Sequence, residues 1–145
     1  MTPPSGDGRR ISGGMGRANV EVVTRLLDAF ARRDGEAMVE VLDEDFLFEP
    51  APTPAREYRT YVGHSGMRQY LNDVGETWER LDLTIQEYRH AGDYVLVFGR
   101  IYTARQGSVA DDPATFVWRL EDGLVVWGKV FRNRDEALET VGISE

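Results

Sequence analysis

The first half of the chain repeats its hydrophobic residues at the spacing of α-helices. This spacing predicts a first helix over residues 20–33, with Asn19 as its N-cap, and a short second helix over residues 37–42. A strand over residues 46–49 and a proline-rich loop over residues 50–64 follow. A third helix is predicted beyond this loop from a stripe with three- and four-residue steps: Met67, Tyr70, Leu71, Val74 and Trp78.

Beyond the third helix the hydrophobic residues alternate with polar ones, as in strands. Alternation predicts strands over residues 81–85, 94–105, 116–120 and 125–131, with a hairpin turn at Glu121-Asp122-Gly123 and a short final helix after the last strand. Helices followed by a run of strands predict an α+β fold. In the last strand, strict alternation puts four residues on one face: Val125, Trp127, Lys129 and Phe131.

The amino-terminal segment differs in composition from the rest of the chain. Residues 1–17 are rich in glycine, proline and serine and contain almost no hydrophobic side chains. They bury too little surface to offset the entropy of ordering. We therefore predict a flexible tail over residues 1–17 and a single domain over residues 18–145.

Composition narrows the classes of partner and cofactor. The 145-residue chain has a formal net charge of −8, so no nucleic-acid partner is expected. It has no cysteine, which excludes disulfides and thiolate metal sites, and His64 and His90 have no second ligand at metal-binding spacing. No metal or other cofactor is expected. No hydrophobic run approaches the ~18 residues of a membrane helix and no signal-peptide core is present, so a cytoplasmic location without membrane association is predicted.

Five short motifs occur in an order that is typical of one protein superfamily. They are Arg33-Asp34-Gly35 after the first helix, the acidic segment 42–45, Tyr61-Val62-Gly63 before the third helix, segment 117–123 at the last hairpin and segment 131–138 at the end. Over residues 18–143 the sequence resembles the nuclear transport factor 2-like superfamily, most closely its SnoaL-like branch.

The resemblance implies a cone-shaped fold in which the amino-terminal helices pack inside a curved antiparallel sheet and leave an apolar pocket at the open end. It also implies a homodimer formed through the outer face of the sheet. The superfamily includes steroid isomerases, polyketide cyclases, epoxide hydrolases, dehydratases and non-catalytic domains, so the fold leaves the reaction open.

The catalytic positions of the steroid isomerase branch are vacant in this sequence. In an ungapped comparison, Pro50 stands at the position of the base, Leu26 at that of the tyrosine and Phe116 near that of the sheet aspartate. A shift of one residue would bring Glu49 to the base position, although alternation puts Glu49 on the opposite face from Phe48. Glu49 is therefore one catalytic candidate, with a solvated strand end as the alternative.

Lys129, the only lysine in the chain, is the second catalytic candidate, and a tyrosine is the remaining alternative for the acid or base. If the Lys129 face of the last strand is concave, the ammonium enters an apolar pocket, where desolvation disfavours the charged form and would make it a base or an amine nucleophile. Alternatively, its stem packs while its head reaches the rim, an acidic neighbour pairs with it, or it binds a ligand carboxylate or enolate.

Aromatic residues are the main candidates for the pocket lining. A flat hydrophobic molecule, oriented by Tyr or Trp donors, would suit a pocket of this kind. The predicted lining is Phe30, Phe46, Phe48, Tyr61, Trp78, Phe116, Trp118, Trp127 and Phe131.

Three functions remain open at this point. The first is an isomerase- or cyclase-type enzyme that acts on a small hydrophobic molecule by proton transfer, and the second is a non-catalytic protein that binds such a molecule. The third is a dimeric interaction domain whose interior is filled by its own side chains. A large cavity with a buried, perturbed ionisable group would indicate the first function, a large cavity without one the second, and no cavity the third.

Overall fold

Four helices and six strands form in the part of the chain that the structure, a computed structural model, describes, which comprises residues 12–51 and 59–143. Within these residues no helix combines the length and apolarity needed to span a membrane. The helices are α1 (Ser12–Ala31), α2 (Gly35–Glu40), α3 (Gly63–Thr77) and α4 (Arg134–Val141). The strands are β1 (Leu42–Glu49), β2 (Tyr61–Val62), β3 (Arg80–Ala91), β4 (Tyr94–Arg105), β5 (Ser108–Glu121) and β6 (Leu124–Phe131).

The strands form one curved, mixed sheet in the order β2-β1-β6-β5-β4-β3. Neighbouring strands run antiparallel except for β1 and β6, which pair in parallel with Phe48 opposite Gly128 and Glu49 opposite Lys129. The α+β class is confirmed, but the prediction of an entirely antiparallel sheet is wrong at this pair. Short hairpins enforce antiparallel pairing, whereas β1 and β6 are joined by most of the chain, which permits either direction.

The two faces of the sheet pack against different helices. The face toward α1, α2 and α3, here called the inner face, contributes residues such as Val97 and Phe116 to the main core. The opposite, outer face is partly covered by α4, whose Leu138 joins Phe98 in a smaller cluster. The Arg134 guanidinium lies 3.8 Å from the centre of the Phe98 ring, a cation–π contact that adds to the docking of α4.

A β-bulge in β6 changes which residues face the main core. Arg119 pairs with Trp127 and the next residue, Leu120, pairs with Val125, so Val126 is an extra residue in β6. An extra residue inverts the alternation of a strand. Val125 therefore faces the main core, while Trp127 packs against the outer-face cluster. The prediction that Val125 and Trp127 share a face is wrong for this reason.

Helix α1 begins earlier than its hydrophobic pattern predicts. It starts at Ser12, so Asn19, the predicted N-cap, lies inside the helix. Gly16 is buried, and a Cβ atom at this position would overlap the ring of His90 on β3. A glycine-rich start disfavours helix in isolation, and close packing on β3 offsets this cost. Of the predicted tail, residues 1–11 lie outside the described residues.

Candidate functional site

A cavity of about 470 Å³ lies between the inner face of the sheet and helices α1, α2 and α3. Helix residues such as Phe30, Met38 and Met67 form one wall, and inner-face residues of β3 to β6 form the other. The cavity extends to the β4–β5 turn, where Gln106 and Ser108 are exposed. Its size and largely apolar lining are those of a small-molecule site.

Stacked aromatic rings form the inner wall of the cavity. Phe48 of β1 and Trp118 of β5 lie parallel, with 5.8 Å between ring centroids and 6° between planes. Tyr70 of α3 meets Phe48 edge-on at 4.9 Å. Gly128, the parallel partner of Phe48, leaves room for the six-membered ring of Trp118. These contacts hold the Trp118 indole in one orientation.

The indole nitrogen of Trp118 is the polar feature of this wall. The residue is 4% exposed, and its Nε1 has no hydrogen-bond partner among the described residues. Buried donors are nearly always paired, because an unpaired one forfeits its hydrogen bond to water. Trp118 lines the cavity, but its Nε1 is itself buried, so the indole would have to shift slightly before a bound molecule could supply the missing acceptor.

Three charged side chains line the open half of the cavity among the described residues: Arg105, Asp112 and Arg132. The Arg132 Nη1 lies 3.8 Å from an Asp112 carboxylate oxygen, and about half of each side chain is exposed. Arg105 makes no ion pair with any described residue. Among the described lining residues, the charged side chains therefore lie at the mouth of the cavity. Trp118, with its unpaired indole nitrogen, lies in the inner wall.

The predicted aromatic lining divides into three groups in the structure. Five residues line the cavity: Phe30, Phe48, Trp78, Phe116 and Trp118. Phe46 and Tyr61 are buried in the main core behind the cavity wall. Trp127 and Phe131 belong to the outer-face cluster, because the bulge at Val126 turns them away from the cavity.

The two catalytic candidates lie together, but on the outer face. Their parallel register puts Glu49 beside Lys129, with 4.0 Å between a carboxylate oxygen and the ammonium. The Trp127 indole N–H donates a 2.8 Å hydrogen bond to Glu49, and the Lys129 ammonium lies 5.1 Å from the Phe131 ring centre. The interpretation that placed Lys129 in the cavity is wrong because of the bulge, and the structure agrees with the alternative of an acidic neighbour. A catalytic role for either residue stays a prediction.

Sequence reasoning missed the three charged lining residues. Asp112 has the same strand parity as Phe116 and Trp118, so alternation extended backwards along β5 would have found it. Arg132 has the parity of Gly128 and Val130, but that face could be recognised as the inner one only once the bulge was known.

A polar cluster behind the aromatic wall joins the segment before α3 to the second half of that helix. The Tyr61 hydroxyl donates a hydrogen bond of 2.5 Å to the Asp73 carboxylate, which also accepts bonds of 2.7 Å from Arg59 and Gln69. Burial raises the pKa of Asp73, but the hydrogen bonds from Tyr61, Gln69 and Arg59 outweigh it and leave the pKa below its usual value. Tyr61 in turn meets Tyr70, a cavity residue, edge-on at 5.2 Å.

We expect Asp73 to make stability depend on acidity. Because its folded pKa is lowered, its contribution is complete above the unfolded pKa and is lost as the pH falls through the folded value. Asp73→Asn should therefore lower the free energy of unfolding by about 1–2 kcal/mol at pH 7 and by less at pH 3. Urea unfolding at both pH values measures this. Asp111→Asn, at an exposed ion pair, is the control and should change little; an equal loss for Asp73→Asn at both pH values would contradict the prediction.

Comparison with known proteins identifies relatives of this fold. A family model described as a SnoaL-like domain matches residues 23–127. No curated protein matches the chain. Among the described side chains, no group of three or more His, Asp or Glu residues is placed to hold a metal ion.

Several solved structures share the fold. An NTF2-like protein of unknown function from Burkholderia pseudomallei is 23% identical, with 86% of this chain and 98% of that chain covered and a TM-score of 0.73. A putative SnoaL-like polyketide cyclase from Jannaschia sp. is 19% identical, with 97% and 100% covered and a TM-score of 0.71. TerC, co-crystallised with polyporic acid, is 21% identical, with 86% and 97% covered and a TM-score of 0.71.

Proposed function

We propose that this chain, which belongs to the SnoaL-like domain family, binds a small, flat and mostly apolar molecule in its cavity. The observation that carries the proposal is a largely apolar cavity of about 470 Å³ lined by Trp118, whose buried Nε1 is unpaired among the described residues. A ligand with a carbonyl or similar oxygen would accept the hydrogen bond after a small shift of the indole, while its rings pack against the apolar lining. That TerC was co-crystallised with polyporic acid supports a ligand site in this fold.

Binding without catalysis is the function that the lining favours. Asp112 is the only carboxylate among the described lining residues, and 53% of its side chain is exposed. Apart from the tyrosine Tyr70, the inner wall has no ionisable side chain among the described lining residues, which disfavours proton transfer by a buried carboxylate, lysine or histidine. An interior of this volume also favours binding over an interaction domain with a filled interior. The predicted homodimer and cytoplasmic location remain part of this proposal.

An isomerase- or cyclase-type enzyme is the second candidate, favoured by the position of Asp112. Its carboxylate lies beside the Arg132 guanidinium at the mouth, so a base and a cation are next to each other. The cation would stabilise an enolate formed when the base removes a proton next to a carbonyl group. The relative from Jannaschia sp., a putative polyketide cyclase, supports keeping this chemistry open. Turnover that disappears in Asp112→Asn would establish it.

Matched three-ring probes test the binding proposal. 9-Fluorenone carries a ketone acceptor that fluorene lacks, and the two are otherwise alike in shape. We expect wild-type protein to bind fluorenone about five- to tenfold more tightly, which corresponds to one net hydrogen bond. Trp118→Phe should abolish this preference and leave fluorene affinity nearly unchanged. Isothermal titration calorimetry measures both ligands, and native mass spectrometry reports the ligand count per subunit.

A second tryptophan provides the control for this experiment. Trp127→Phe removes an indole N–H that is already bonded to Glu49 on the outer face, so the ketone preference should persist. If the wild-type protein binds neither probe nor polyporic acid, the proposed function is wrong. Equal binding of fluorenone and fluorene by the wild-type protein would refute the role of Trp118.

A further inference from the structure

We infer that the molecule bound in the cavity carries an anionic group, such as a carboxylate or an ionised enol, which Arg132 recognises at the mouth. This inference rests on the proposed function. Its first support is the local charge: the described lining residues include two guanidinium groups and one carboxylate, whereas the whole chain has a net charge of −8. The described lining residues thus carry one net positive charge in an acidic protein, and positive charge attracts anions.

The strand register places Arg132 at a useful distance from Trp118. Trp118 lies opposite Gly128, and β6 then continues regularly through Phe131 opposite Thr115. Arg132 comes four residues after Gly128, so its side chain points to the same face. At the usual rise of a strand, its backbone lies about 13 Å from that of Gly128. Both side chains line the same cavity. A ring system bound in the cavity would therefore lie between Trp118 and Arg132.

The contact between Arg132 and Asp112 is weak enough for a ligand to displace it. Its 3.8 Å separation from Asp112 exceeds hydrogen-bond length, and an exposed ion pair of this kind contributes little to stability. A ligand carboxylate can instead accept two parallel N–H bonds from the guanidinium, which is the stronger geometry. Arg105, without an ion pair to any described residue, adds positive potential at the same mouth.

Asp112 has an opposite role in this arrangement. Its carboxylate competes with an anionic ligand for Arg132 and repels the incoming charge. Removal of the Asp112 charge should therefore strengthen the binding of acids, while removal of the Arg132 charge should weaken it. A purely structural role for this pair would predict a change in the same direction for both substitutions.

The test compares 9-fluorenone-2-carboxylic acid with 9-fluorenone-2-carboxamide, which differ in charge but hardly in shape. At pH 7 and low salt we expect wild-type protein to prefer the acid about tenfold, as one charge-assisted contact would give. Arg132→Gln should remove the preference, and a circular dichroism spectrum like that of the wild type shows that the variant is folded. Asp112→Asn should increase the preference about two- to threefold, by relief of one like charge at the mouth.

The matched control is an ion pair on the outer face of the sheet. Arg100 pairs with Asp111 on the outer face, so Arg100→Gln removes an equivalent ion pair and should leave the acid preference unchanged. If acid and amide bind equally to the wild-type protein, the inference is overturned while the proposed function stands. If the preference survives Arg132→Gln, the assignment to Arg132 is overturned. If neither compound binds, the proposed function fails and the inference fails with it.

Discussion

Gly99→Ala should lower the free energy of unfolding by about 3 kcal/mol or more, which is large for the addition of one methyl group. Gly99 is buried in β4 and pairs with Ile85 of β3. A Cβ atom at this position would overlap the backbone carbonyl oxygen of Thr84. A side chain could rotate away, but a backbone oxygen inside a sheet can move only if the two strands separate. The close approach lies beside a shift in the β3–β4 register between Ile85 and Glu87, where glycine permits the two backbones to meet.

The same substitution at Gly75 is a control with the opposite expected sign. Gly75 is exposed in α3, and a Cβ atom there would meet no other atom within 4 Å. Alanine favours helix over glycine, so Gly75→Ala should raise the free energy of unfolding by about 0.5–1 kcal/mol. Urea unfolding followed by circular dichroism measures both variants. A Gly99→Ala protein as stable as wild type would mean that β3 and β4 lie farther apart than the structure places them.

The sequence allowed most of the architecture to be predicted, because hydrophobic periodicity is a local property. The helical stripe ending at Trp78 and the turn at Glu121-Asp122-Gly123 lie where their patterns put them. The parallel pairing of β1 with β6 could not be predicted, because it joins segments about 80 residues apart and no local pattern encodes strand direction. Likewise, the start of α1 at Ser12 depends on a contact between Gly16 and His90.

The site was harder to predict than the fold because one extra residue in the last strand exchanges the faces on which the following side chains lie. Alternation correctly placed Phe116 and Trp118 together on the inner face of β5, where no bulge intervenes between them. In β6, however, the extra residue Val126 moved Lys129 to the outer face and Arg132 to the cavity. A bulge leaves no reliable mark in the amino-acid sequence. Strict alternation therefore put Lys129 in the cavity and Arg132 on the outer face, the opposite of where the structure has them.

Gly128→Ala should damage both stability and binding, because Gly128 sets the position of Trp118. A Cβ atom on Gly128 would overlap the six-membered ring of the Trp118 indole and would also approach Phe48 closely. The indole is 4% exposed and stacked on Phe48, so it cannot move without disturbing the cavity wall. Overpacking of this kind costs about 2–3 kcal/mol. Because the Nε1 would shift with the ring, we also expect the preference for fluorenone over fluorene to disappear.

A double variant separates the steric cause from a general loss of structure. In Gly128→Ala combined with Trp118→Phe, the smaller ring leaves room for the new methyl group, so at least half of the lost stability should return. The ketone preference should remain absent, because phenylalanine has no N–H to donate. Urea unfolding and calorimetry with fluorenone and fluorene test the two statements separately. If the second substitution adds to the damage instead of relieving it, Gly128 does not act through Trp118, and the orientation of the indole donor must have another support.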